Sequence, residues 1–168
     1  MLNKIKFLFI LFILISFSCD KTPEENNYIP EISYPYDFFF EHDGLNRLYT
    51  LYKPDNLKEK APLVFVLHGY SSNSTNIMNY SNMNTIADQH GFMVCYPQGT
   101  SNLYTGMPHW NANLKEMSSV DDDGFLTALA KKLQAEFNLS EKNTFASGMS
   151  NGGFMSFTLA CERSDTFK

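Results

Sequence analysis

Gly148-Met149-Ser150-Asn151-Gly152 is the stretch of this 168-residue chain whose residue types and spacing describe an activated nucleophile. In a G-x-S-x-G sequence the serine occupies a sharp turn between a strand and a helix, and small neighbours let the two elements approach. Gly148, Gly152 and also Gly153 supply that lack of bulk. The turn lifts the Ser150 hydroxyl off the strand end and aims the N–H of Asn151 at an oxygen that is gaining negative charge. The chemistry is acyl transfer through a serine-bound intermediate. A second segment, His68-Gly69-Tyr70, directly follows the apolar run Leu63 to Leu67. A loop in that place donates a second backbone N–H to the oxyanion, and Tyr70 is the candidate donor. Gly69 lets the backbone approach a substrate, and His68 buttresses the loop rather than serving as the base.

A serine without a base is a poor nucleophile. In hydrolases with this turn the acid and then the histidine follow the serine along the chain. Residues 151–168 contain Glu162 and Asp165 but no histidine, and Asp165 comes too soon after the turn to be the acid. The expectation is that the chain stops before both residues, with the C-terminal part of the domain missing. His42, His68, His90 and His109 stand apart, with no i, i+4 pair, so no metal site is expected. No phosphate loop or dinucleotide fingerprint occurs, so no cofactor is expected. A net charge of −5 and the lack of a dense Lys/Arg segment give no reason to expect nucleic acid as a partner. Cys95, inside an apolar run, has the setting of a small buried hydrophobe; Cys161 has no partner at a recognisable spacing.

These residues need elements to hold them. Tyr36 to Glu41 and Arg47 to Tyr52 flank an Asp43-Gly44 turn signal and predict a β-hairpin. Leu63 to Leu67 and Phe92 to Tyr96 are wholly apolar, as strands buried on both faces are. Between them a helix is expected from about Asn82 to His90, ended by Gly91. Phe125, Leu126, Leu129, Leu133 and Phe137 recur at helical spacing after the acidic cluster Asp121, Asp122 and Asp123, which suits a helix N-terminus. Asn143 to Ser147 predicts a short strand and Asn151 to Glu162 a buried helix. Strand and helix alternate, which means an α/β fold with a mostly parallel sheet behind an N-terminal hairpin.

The first 18 residues predict an export signal instead of fold. Lys4 and Lys6 precede an apolar run from Phe7 to Phe17, shorter than the about 20 residues a membrane span needs. Ser18 then precedes Cys19, the arrangement of a lipoprotein signal in which the cysteine is lipidated, although Ser16 sits where Leu is usual. Residues 19–31 form an acidic, proline-bearing tether, and 32–168 the N-terminal portion of the domain. The expected location is extracellular or on the cell surface, touching a membrane only through a lipid at Cys19.

Five blocks now stand in order: Leu67-His68-Gly69-Tyr70; Tyr96-Pro97-Gln98-Gly99; Val120 to Phe125; Gly148 to Met155; and Leu159-Ala160-Cys161-Glu162. Together they resemble the polyhydroxybutyrate depolymerase-like esterases over roughly Leu45 to Lys168. The resemblance implies an α/β-hydrolase fold and a secreted carboxylic-ester hydrolase, related to feruloyl and acetylxylan esterases, taking a small-molecule or polymeric ester. It departs at Asp123, where the family commonly has an apolar residue, a change expected to alter only the helix entry. Trp110 falls in a loop that in this family lies near the substrate side, so it is a candidate substrate contact; core packing of a lone tryptophan is the other reading. Two further readings of the whole remain: a peptidase of the same superfamily, and a surface lipoprotein that binds polyester or polysaccharide without catalysis.

Overall fold

The computed structural model describes residues 33–113 and 119–168, so the expected signal, tether and Cys19 lie outside the described residues. Strands β1 (Tyr36–His42) and β2 (Leu45–Tyr52) form the expected hairpin. Its two-residue loop, Asp43-Gly44, has positive φ at both positions (48° and 71°), the backbone that such tight hairpins require. Strands β3 (Leu63–Leu67), β4 (Met93–Pro97) and β7 (Thr144–Gly148) run parallel, and β2 joins them antiparallel along β4. The resulting five-stranded sheet has the order β1-β2-β4-β3-β7.

Side chains alternate across this sheet, as a period of two demands. Leu63, Phe65 and Leu67 of β3 and Met93 and Cys95 of β4 enter one core, while Val66, Val94 and Tyr96 enter another. The first core is closed by Phe125, Leu126, Leu129 and Leu133 of α3 (Asp122–Glu136) and by Met155 and Leu159 of α4 (Asn151–Glu162). The second is closed by Ile77 of α1 (Ser74–Ser81) and Ala87 of α2 (Met83–His90). Helices therefore cover both faces of the sheet. Each fully buried Leu or Phe stabilises this sandwich by about 1.5–3 kcal/mol.

Two features had no counterpart in the expected element order. Helix α1 precedes α2, the two meeting at Asn82 with φ 50°. Short strands β5 (Thr100–Ser101) and β6 (Pro108–His109) pair antiparallel as a separate ribbon between β4 and α3. No helix among the described residues is long and apolar enough to cross a membrane.

Candidate active site

Strand β7 ends at Gly148 and helix α4 begins at Asn151, leaving only Met149 and Ser150 to reverse the chain. Ser150 adopts φ 51° and ψ −116°, a conformation that costs a side-chain-bearing residue about 1–3 kcal/mol. Close approach enforces it. A Cβ on Gly148 would lie 2.4 Å from the Gly152 carbonyl, and one on Gly152 would lie 2.3 Å from the Leu67 oxygen and 2.5 Å from that of His68. On Gly153 it would meet the Gly148 oxygen at 3.2 Å. The glycines thus let α4 start against the end of β3, which is what carries Ser150 to the loop after that strand. Ser150 is exposed, and its side chain makes no capping hydrogen bond at the helix N-terminus.

The loop after β3 meets the turn from the other side. A Cβ on Gly69 would sit 3.6 Å from the Ser150 Cβ and 3.2 Å from the Met149 methyl. The Met149 amide donates to the Leu67 oxygen at 3.1 Å, so the two segments are also tied through the backbone. Neither the Tyr70 amide nor the Asn151 amide donates to another described residue. The Asn151 amide belongs to the first turn of α4, where the helix dipole favours negative charge.

His68 is fully buried beneath this loop. Its Nε2 accepts the Gly99 amide at 2.9 Å, which places the proton on Nδ1, donating to the Gly69 oxygen at 2.7 Å. The Gln98 side-chain amide also reaches Nε2, at 3.1 Å. Burial pushes the imidazole below its ordinary 6.5, against the Gly69 hydrogen bond and the Asp122 charge, which pull it up. Both ring nitrogens are committed to the scaffold.

Trp110 is only 1% exposed. Its indole N–H donates to the His68 oxygen at 3.0 Å and its ring packs 5.1 Å from the imidazole. Its backbone is held by Asn151, whose Oδ1 accepts the Trp110 amide at 2.7 Å and whose Nδ2 donates to the Trp110 oxygen at 3.0 Å. Trp110, the candidate substrate contact, is thus packed against the loop that follows β3.

Several supporting residues escaped the sequence. The Asn151 side chain gave no signal, because only its backbone was expected to matter. Gly99 was visible as part of a block, but not its reason: a Cβ there would lie 2.3 Å from the His109 oxygen. The three aspartates do more than begin a helix. Asp121 caps α3 through the Gly124 amide at 3.0 Å and meets His42 at 3.1 Å. Asp122 forms a buried pair with Arg47 at 2.6 Å and accepts the Asn111 amide at 2.7 Å, while the Arg47 guanidinium lies 4.0 Å over the Phe125 ring. Asp123 pairs with Arg163 at 2.6 Å, so its effect reaches the end of α4 and not the helix entry alone. Among the described residues no group of three or more His, Cys, Asp or Glu could hold a metal.

The family profile described as Esterase PHB depolymerase matches residues 47–168. An acetylxylan esterase of Coprinopsis cinerea is 30% identical over 133 residues, covering 77% of this chain and 35% of that protein. A bifunctional acetylxylan esterase/xylanase of Neocallimastix patriciarum is 29% identical over 114 residues, covering 68% of this chain and 16% of its own. A poly(3-hydroxybutyrate) depolymerase of Ralstonia pickettii is 26% identical over 123 residues, 68% of this chain and 25% of that one. The chain therefore spans well under half the length of these relatives. Among solved structures, an acetyl xylan esterase from Aspergillus awamori superposes with a TM-score of 0.59 at 21% identity, covering 72% of this chain and 44% of that one. An S-formylglutathione hydrolase from Staphylococcus aureus gives 0.59 at 20% identity, covering 79% and 53%. The shared architecture is the α/β-hydrolase fold.

Proposed function

Because the chain belongs to the Esterase PHB depolymerase family, we propose that it is part of a serine carboxylic-ester hydrolase acting through an acyl-Ser150 intermediate. The observation that carries the reading is the Ser150 turn: an exposed serine at φ 51°, with Gly69 placed so that a Cβ there would lie 3.6 Å from the Ser150 Cβ. In the first step the Ser150 oxygen bonds to the ester carbonyl carbon, and the carbonyl oxygen becomes an oxyanion. The Tyr70 and Asn151 amides receive that charge. The C–O bond to the alcohol then breaks, the alcohol leaves with the proton taken from Ser150, and water releases the acid from the acyl-serine. His68 is committed to Gly99 and Gly69 and is not the group that takes this proton. Trp110 and the Asn151 side chain set the loop's position and touch no reacting atom.

Relatives named for acetylxylan, feruloyl and poly(3-hydroxybutyrate) esters support a carboxylic ester as the substrate. The test is hydrolysis of p-nitrophenyl acetate by the full-length protein and its Ser150→Ala variant. Turnover should fall by at least about a thousandfold without loss of fold, and an active Ser150→Ala protein would sink the reading. We further propose export and lipidation at Cys19, supported by the Lys4/Lys6 segment, the apolar run and Ser18-Cys19. Mass spectrometry of the mature N-terminus checks this; an intact Met1 or an unmodified Cys19 counts against it.

A further inference from the structure

The Tyr70 amide belongs to the Gly69–Tyr70 peptide, and the bonds beneath the loop grip that peptide by its oxygen. The Gly69 oxygen accepts His68 Nδ1 at 2.7 Å and the Ser72 amide at 3.2 Å. In a trans peptide the N–H points opposite to the C=O, so these two bonds also turn the Tyr70 N–H away from His68 and Ser72. They leave its other side unsecured. The next residue, Ser71, sits at φ 61°, a left-handed backbone that a side chain disfavours. A loop with such a residue at its apex keeps its shape only if something holds it from outside.

That hold comes from the β5–β6 ribbon. The Ser71 amide donates to the Pro108 oxygen at 2.8 Å, and the Tyr70 hydroxyl meets the Thr105 hydroxyl at 2.6 Å, 35 positions along the chain. The turn that carries Thr105 is tightly built. The Asn102 Oδ1 accepts the Tyr104 and Thr105 amides at 2.9 and 3.1 Å. The Gly106 amide donates to the Asn102 oxygen at 2.8 Å, and the Asn102 amide to the Met107 oxygen at 2.9 Å. The Met107 amide in turn donates to the Thr105 hydroxyl oxygen at 3.3 Å, which orients the hydroxyl as well as the backbone. The turn thus closes on itself and presents one group, the Thr105 hydroxyl, to the loop beside Ser150.

We propose that Thr105 is a positioning residue for this loop: its hydroxyl, bonded to that of Tyr70, sets the tilt of the Gly69–Tyr70 peptide from the outer side while His68 sets it from beneath. Thr105 touches no reacting atom. It acts through the Tyr70 amide, whose bond to the substrate oxygen strengthens as that oxygen becomes an oxyanion. An interaction realised only in the transition state is read in kcat and leaves KM alone. The hydroxyl pair is exposed, so water competes with it and the effect is moderate. The inference rests on the serine-hydrolase reading for its purpose, and its test separates the two.

The full-length protein is compared with its Thr105→Val, Tyr70→Phe, Tyr70→Phe/Thr105→Val and Thr105→Ser variants in p-nitrophenyl acetate hydrolysis. Thr105→Val and Tyr70→Phe should each lower kcat about threefold to tenfold, with KM changed by less than about twofold. Tyr70→Phe keeps the Met107 bond to Thr105, so equal losses in the two variants belong to the hydroxyl pair they share. The double variant should lose no more than either single one, and Thr105→Ser should keep the original kcat. Hydrogen exchange reads the same contact without turnover: the amides of residues 69–72 should exchange about threefold or more faster in both single variants. Unchanged kcat in either single variant overturns the proposal. So do additive losses in the double variant, a loss carried by KM, a Thr105→Ser protein as slow as Thr105→Val, or unchanged exchange. Absence of turnover in the unaltered protein, or turnover that survives Ser150→Ala, sinks the serine reading alone and leaves hydrogen exchange to decide whether Thr105 holds the loop.

Discussion

Replacing Asn151 by alanine tests the scaffold of the site through one side chain. Asn151 is buried and spans 41 residues to grip both the amide and the carbonyl of Trp110, at 2.7 and 3.0 Å. Its loss strands two main-chain groups away from water, each at a cost of about 1–3 kcal/mol. The expected destabilisation is therefore about 2–6 kcal/mol, which for a domain of this size lowers Tm by roughly 6–24 °C. Alanine keeps the backbone amide of residue 151 and adds no charge, so activity lost in that variant comes from movement of the loop that Trp110 and His68 share. Asn151→Asp sharpens the test. It keeps an acceptor for the Trp110 amide but gives up the donor and puts a negative charge beside the developing oxyanion. It should recover part of the stability and none of the kcat. Thermal and urea unfolding measure the first quantity, and p-nitrophenyl acetate turnover by the full-length protein the second. An Asn151→Ala protein within about 0.5 kcal/mol of the original would refute the reasoning.

Gly152→Ala pushes a methyl to 2.3 Å from the Leu67 oxygen, so the turn must open; about 1–3 kcal/mol of stability should go, and an unaltered urea midpoint would count against the close approach. Arg47→Met leaves Asp122 buried and unpaired, at a cost of about 3–5 kcal/mol, and adding Asp122→Asn should restore much of it in the same unfolding assay. His68 gives a pH signature. Unfolded, it titrates near 6.5, and folded, burial holds it lower, so below 6.5 the unfolded chain takes up a proton that the folded one refuses. Its stabilisation is whole above that pH and is lost as pH falls toward the folded value. The fall in Tm between about pH 7 and pH 5 should be shallower in His68→Gln than in the unaltered protein; identical slopes would remove His68 as the cause.

Legibility followed how local each cause was. The span of α4 was readable to the residue, because its start is fixed by the adjacent glycines and its core face is apolar. The Asp43-Gly44 hairpin and the strands β3 and β4 were readable for the same reason. Helix α1 was not. Its sequence, Ser74 to Ser81, has no apolar repeat, and it is held by an Asn73 cap and by Ile77 reaching the second core. The β5–β6 ribbon pairs only two residues a side, too few to show a period. At the site, the turn residues were visible because glycine spacing is local. The grip of Asn151 on Trp110 and the Arg47–Asp122 pair join residues 41 and 75 positions apart, and nothing in either neighbourhood announces the other.

The run Asp121-Asp122-Asp123 sends three successive carboxylates to His42 in β1, Arg47 in β2 and Arg163 after α4. Successive helical positions differ by about 100° around the axis, so inserting or deleting a single residue there would turn all three carboxylates away from their partners at once. The other end of the same connection is pinned by the Gly99 amide on His68. Between these fixed points the 102–107 turn closes mainly on itself, through the Asn102 side chain and the Gly106 amide, so its length can change without moving either end. Relatives of this protein should therefore gain and lose residues in that interval while keeping its two ends in step, so that new surfaces arise beside the serine with the machinery beneath untouched.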